Sequence, residues 1–194
     1  MELLPWVFTT GWASGINAYL VVLVLGLADR FATLDQVPDA LARTDVLVAA
    51  GVLFCVDVVA DKIPYVDSVW DVVHTAVRPT VAAVLGALIA GDATTLEQAL
   101  AATTGGVTAL ASHAVKAGLR AAVNTSPEPA SNVTVSVAED VAVASVVSLA
   151  VVAPWVAATV AAVLLLAGVV LVLLLLSRIR AWRRRRRERA APGS

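Results

Sequence analysis

Charge is scarce in this chain. Asp, Glu, Lys and Arg make up 15% of its 194 residues, where about 25% is usual in a soluble domain. That shortage excludes a disordered polyelectrolyte, which stays unfolded through high charge and low hydrophobicity. A single cysteine, Cys55, excludes a disulfide scaffold; alone in an apolar run, it reads as a small core residue. No basic residue precedes the first apolar stretch, Leu3 to Ala28, which carries the polar Asn17 inside it. It therefore reads as a retained span, not a cleaved signal. The alternating ten-residue segments of a membrane β-barrel are also missing.

What the chain has is apolar sequence. Hydrophobic residues are 59% of the total and the mean hydropathy is +0.85. Lipid forces a backbone to satisfy its own hydrogen bonds, so helix is the default element. The expected fold is all-α, a polytopic transmembrane helical bundle of about six spans with one kinked or re-entrant amphipathic segment. The spans fall at about Leu4 to Leu27, Asp45 to Ala60, Pro64 to Ala90, Leu96 to Val123, Val133 to Val152 and Val156 to Leu176. Val141 to Ser177 carries no charge over 37 residues. One helix of that length would reach about 55 Å, against a hydrocarbon core of about 30 Å, so the run is split at Pro154. Pro64 to Ala90 is either one helix kinked at Pro79 or a surface helix leading into a half-span.

The formal charge of −1 conceals an asymmetry. From Arg178 onward there are eight arginines and one acid; the preceding 177 residues hold six basic and fourteen acidic groups. A basic cluster directly behind an apolar span marks its cytoplasmic end. Residues 1–177 thus read as a single integral-membrane helical domain, and 178–194 as a basic cytoplasmic tail able to touch anionic lipids. The expected location is the cell inner (plasma) membrane, multi-pass, with the C-terminus cytoplasmic. Two sequons, at Asn124 and Asn132, then lie inside, and glycosylation is not expected. The partners implied are the lipid bilayer, a small ion or polar solute, and anionic lipids at the tail. A second copy of the chain stays open; nucleic acid is not among the partners.

Several ionisable residues recur at helical spacing within the apolar sequence. Asp67, Asp71, His74 and Arg78 are four, three and four apart, which places them on one helix face, with Val69, Val72, Val73 and Val77 opposite. Asp57 and Asp61 repeat the spacing one segment earlier. His113, Lys116 and Arg120 form a basic stripe on the fourth span, and Glu139 and Asp140 lie inside the fifth. An ion near the bilayer centre costs about 2.5 kcal/mol or more, so such groups turn inward, pair or line water. Three arrangements satisfy that demand: an interfacial amphipathic helix with snorkelling ends, a structural ion-pair network, or a polar cavity for an ion, proton or small solute. Asp67, Asp71 and His74 also offer two carboxylates and an imidazole to a divalent cation. No catalytic residue and no cofactor is identified. In the first span, Gly11 and Gly15, four apart, and Asn17 suit either a packing seam or a local break whose backbone groups contact a solute. Gly105 and Gly106 suit close packing in the fourth.

Three blocks carry a resemblance: Gly-Trp-Ala-Ser-Gly-Ile-Asn-Ala-Tyr at 11–19, Ala-Asp-Lys-Ile-Pro followed by Asp, Asp, His and Arg-Pro over 60–79, and Ser-Pro-Glu-Pro-x-Ser-Asn at 126–132. In these the chain resembles small bacterial multi-pass membrane proteins grouped as domain of unknown function 4126, over most of Leu4 to Leu175. The resemblance implies an architecture and no activity. From the residues themselves, the leading expectation is a channel-like or transporter-like protein with an intramembrane charged site. The alternatives are a membrane-embedded enzyme acting on a lipid headgroup, with His74 or His113 as acid/base and Arg78, Lys116 and Arg120 binding phosphate, and a membrane scaffold that recruits partners through its tail.

Overall fold

The computed structural model describes residues 3–63, 66–123 and 129–190, with the backbone alone at 123, 129–132 and 183–190. Among these the chain forms six α-helices: α1 (Leu3–Ala32), α2 (Thr44–Ala60), α3 (Val66–Ala90), α4 (Thr95–Val123), α5 (Pro129–Val152) and α6 (Pro154–Ala190). A single 3-10 turn, Asp39–Ala42, lies between α1 and α2. Four stretches are long and apolar enough to cross a membrane: Leu3–Ala32, Val66–Ala90, Val133–Val152 and Pro154–Trp182. The break between α5 and α6 falls at Ala153, directly before Pro154, where a proline lacking an amide hydrogen opens the next helix.

Helix α1 is the hub and packs against all five other helices. Close approach is possible because facing positions are small. A Cβ on Gly11 would lie 2.7 Å from the Gly105 carbonyl oxygen, and one on Gly15 would overlap Ser112 Oγ and the Ala109 carbonyl. Gly105 in turn meets Ala82 of α3, where a Cβ would come within 2.6 Å of the carbonyl oxygen. Membrane helices lacking a hydrophobic drive to associate gain dispersion contacts through such seams. Trp6, Val7, Trp12, Val21 and Leu25 of α1 fill the interior with Leu85, Val143, Val147 and Ala157.

Helix ends follow local chemistry. At the start of α4, Thr94 and Glu97 form a reciprocal capping box: the Glu97 amide donates to Thr94 Oγ1 (3.3 Å), and Glu97 Oε2 accepts from the Thr94 amide (2.9 Å). Helix α1 closes on Thr33 at φ 47°, a left-handed conformation that is uncommon for a β-branched residue. The carboxylate of Asp29 holds that turn by accepting the Leu34 amide at 2.8 Å.

Of the two readings of Pro64 to Ala90, the single helix holds, with Pro79 inside α3. The local break offered for the first span is present in α1, at Asn17 (φ −150°, ψ 93°). One expectation is revised. Cys55 is exposed and does not belong to the core: it shares the outer side of α2 with Val52, Val56 and Val59.

Candidate functional site

The polarity of α3 is inside out. Asp67, Asp71, His74 and Arg78 are buried, Arg78 completely, whereas Val69 is 68% and Val72 74% exposed. An interfacial helix would show water its charges and bury its valines. Helix α3 does the reverse, as a helix bordered by lipid on one side and a polar interior on the other must. Helix α2 shares the arrangement, with Asp57 and Ala60 inside and Val48, Val52, Val56 and Val59 outside. Helix α4 turns Ser112, His113, Lys116 and Arg120 inward and Leu100, Val107 and Leu110 outward.

Inside, the acidic and basic side chains meet in two adjoining groups. In the first, Arg78 reaches Asp57 Oδ1 at 3.2 Å and Asp71 Oδ1 at 3.4 Å. Its Nη1 also lies 3.1 Å from His113 Nδ1. A guanidinium nitrogen only donates, so Nδ1 of His113 is the acceptor; Nε2 then carries the hydrogen given to the Asp71 carbonyl at 3.0 Å. The His113 imidazole is thus placed as a neutral ring. His74 Nδ1 donates to the Trp70 carbonyl at 2.8 Å, and its Nε2 lies 3.0 Å from the Tyr19 hydroxyl, which can donate or accept. Asp57 Oδ1 also accepts from Trp70 Nε1 at 2.7 Å. Its Oδ2 is buried and accepts no hydrogen bond among the described residues.

In the second group, Asp61 Oδ2 takes Lys116 Nζ at 2.7 Å and Arg120 Nη2 at 2.8 Å, and the Asp61 carbonyl takes Arg120 Nη1 at 2.9 Å. Glu139 Oε2 lies 3.1 Å from Arg120 and 3.7 Å from Lys116. Asp67 stands 4.0 Å from Arg120. Asp140 turns elsewhere and accepts from Asn17 Nδ2 at 2.9 Å.

The break in α1 belongs to this second group. The extended backbone at Asn17 interrupts the helical ladder and makes the Ile16 carbonyl available, which Lys116 Nζ takes at 3.0 Å. One turn earlier, Ser112 Oγ donates to the Trp12 carbonyl at 2.8 Å. Asn17 Oδ1 caps the second half of α1 by accepting the Leu20 amide at 3.1 Å. Asn17 therefore breaks a helix, caps its continuation and binds a carboxylate, while Gly11 and Gly15 bring α4 close enough for Lys116 and Ser112 to reach.

Two cavities end on the charged groups. One, of about 300 Å³, lies between α1, α4, α5 and α6; its wall is mostly apolar (Trp12, Val115, Leu119, Ala142, Leu165), with Lys116 and Glu139 as its charged members. The other, about 180 Å³, lies between α3 and α4 and is lined by Ser68, Asp71, Thr75 and Arg120. Arg120 borders the second cavity and bonds to Glu139, which borders the first.

Among the described residues no group of three His, Cys, Asp or Glu side chains is placed to hold a metal ion. That corrects the expectation for Asp67, Asp71 and His74, which share a face but turn to different partners: Asp67 to Ser68 and Arg120, Asp71 to Arg78, His74 to Tyr19 and Trp70. Arg78, Lys116 and Arg120, the candidate phosphate ligands, each hold carboxylates. Sequence reasoning missed Trp70 and Thr75 as network members. An indole N–H turned inward needs an acceptor, and Trp70, half-buried one residue before Asp71, finds it in Asp57 of α2.

These features define a class, the helical membrane protein with a charged network buried inside its bundle. Within that class the chain belongs to the family described as Domain of unknown function (DUF4126), which it matches over residues 4–174. No curated protein and no solved structure matches it.

Proposed function

We propose that this protein carries protons, or a small cation in their place, across a cell membrane through its buried network. One observation carries the reading. Among the described residues five carboxylates, at Asp57, Asp61, Asp67, Asp71 and Glu139, surround three basic side chains, Arg78, Lys116 and Arg120, and a sixth, Asp140, lies beside them on Asn17. Counting the imidazoles as neutral, these described side chains carry a formal excess of three negative charges. A structural ion-pair network in lipid has reason to balance, because each unpaired ion costs about 2.5–3.5 kcal/mol even on the lenient insertion scale. An excess of acid is what a site for exchangeable positive charge needs. Asp57 Oδ2, buried and without a donor among the described residues, is one seat for it.

Two cavities border the cluster formed by Asp61, Lys116, Arg120 and Glu139, one at Lys116 and Glu139 and the other at Arg120, and the break in α1 lies beside it. In this reading all six helices are embedded, residues 1–177 act as one membrane domain, and the arginine-rich end of α6 lies on the cytoplasmic side of the plasma membrane against anionic headgroups.

The test is proton flux into liposomes that hold a pH-sensitive dye and carry the purified full chain. Wild-type protein is expected to dissipate an imposed gradient faster than empty liposomes. Asp71→Asn, in the wall of the smaller cavity, and Asp57→Asn should each slow that flux by about tenfold or more. A wild-type rate equal to that of empty liposomes, or full flux in both folded variants, overturns the proposal.

A further inference from the structure

The larger cavity is unlike the rest of the network, because it joins a charged end to an apolar body. Its volume, about 300 Å³, is that of a small-molecule site. Trp12, Val115, Leu119, Ala142 and Leu165 make a wall suited to rings or alkyl groups, and the sign of its charged end decides what kind of molecule fits. Lys116 has three N–H donors; it gives two to the Ile16 carbonyl at 3.0 Å and Asp61 at 2.7 Å, and Glu139 stands 3.7 Å away as an ion-pair partner. Its single charge is thus opposed by two carboxylates, and any anion placed there would face both Asp61 and Glu139. Glu139 is the opposite case. Its Oε2 meets Arg120 and Lys116, and a carboxylate offers about four lone-pair sites over two oxygens, so acceptor capacity remains. Its side chain is 15% exposed and lines the cavity. Asp140, the next residue, adds a further negative charge.

From this geometry we infer that the groove between α1, α4, α5 and α6 binds a lipophilic organic cation, its apolar groups against Trp12, Leu119 and Leu165 and its positive charge beside Glu139. Entry is from the hydrocarbon, since the wall helices present apolar exteriors, Leu164 and Leu166 of α6 among them. The site goes beyond the proton path. The two would share Glu139, so that a bound cation and the Arg120–Lys116 pair compete for one carboxylate.

The experiment is equilibrium dialysis of labelled tetraphenylphosphonium against the detergent-purified full chain. Saturable binding at one site per chain is expected. Tetraphenylborate, of similar shape and opposite charge, should fail to compete. Glu139→Gln should weaken binding at least tenfold. Because that variant also loses an ion-pair partner, Ala142→Phe provides a second arm: it fills the groove without touching a charge and should weaken binding to a similar degree. Folding of both is checked by gel filtration. Equal affinity for the borate overturns the inference, as does unchanged phosphonium binding in a folded Glu139→Gln or Ala142→Phe protein. Binding is read at equilibrium without flux, so a failure here leaves the proton proposal to its own test.

Discussion

A guanidinium at zero exposure, held between two aspartates and an imidazole, has no water to replace a lost partner. Nor have its partners. Removing one member of a buried ion pair leaves an uncompensated charge, which costs about 3–5 kcal/mol, whereas removing both can be nearly neutral. Arg78→Met is therefore expected to destabilise the protein by about 3–5 kcal/mol, and adding Asp57→Asn in the same chain should restore part of the loss. Reversible unfolding in mixed micelles measures both; a single variant as stable as wild type would show that Arg78 does not hold the first group together. At this scale the sequence was informative about faces and silent about direction. Spacings of four, three and four placed Asp67, Asp71, His74 and Arg78 on one side of a helix, but periodicity alone does not say whether that side meets water or the bundle. The direction follows from what packs beside it, and the partners on α4 are distant in sequence: Arg120 lies 53 positions after Asp67, and His113 lies 42 after Asp71, whose carbonyl it meets. Tyr19 was visible within a distinctive block, yet its hydrogen bond to His74 depends on the same long-range packing.

At the scale of elements, α1 joins two features that a helix ordinarily keeps apart: a seam of glycines for close approach and a break that exposes backbone acceptors. The first is what makes the second useful, since Lys116 can reach the Ile16 carbonyl only when α4 lies against α1. A methyl group at Gly15 would overlap the Ala109 carbonyl and Ser112 Oγ, with the Ala109 carbonyl carbon at 2.9 Å. Backbone is the obstacle, so the helices must separate. Gly15→Ala is expected to cost about 1–3 kcal/mol, in the range of core overpacking, and to lower the thermal unfolding midpoint in detergent. Gly51→Ala on α2 is the control, because a Cβ there would meet only the end of the Leu23 side chain, at 4.0 Å. The positions of α2, α4 and the α5–α6 break were readable from apolar runs and prolines. The break in α1 was legible only as one of two options for Gly11, Gly15 and Asn17, and both are realised there: the glycines make the seam, and the extended backbone at Asn17 is held by contacts with Asp140 and Leu20. A tertiary network completes what the local sequence left open.

For the whole molecule the question is how many helices lie in lipid. Length and hydropathy select four stretches. Helix α2, with 17 residues, is about 25 Å long at 1.5 Å per residue and falls short of a hydrocarbon core of about 30 Å; α4 is long but carries three inward basic or imidazole groups. Surface character argues that both are embedded. In water, the exposed valines of α2 and leucines of α4 would form apolar patches that soluble proteins seldom show, while the aspartates and cations they bury would gain nothing from being hidden. Cys55 provides a natural probe, being the only cysteine in the chain and exposed on the valine-bearing side of α2. If α2 is embedded, this thiol faces hydrocarbon, where the reactive thiolate does not form. A charged, water-soluble maleimide should then leave Cys55 unlabelled in intact membranes and label it fully after denaturation in SDS. Rapid labelling in intact membranes would place α2 in water and reduce the number of embedded helices.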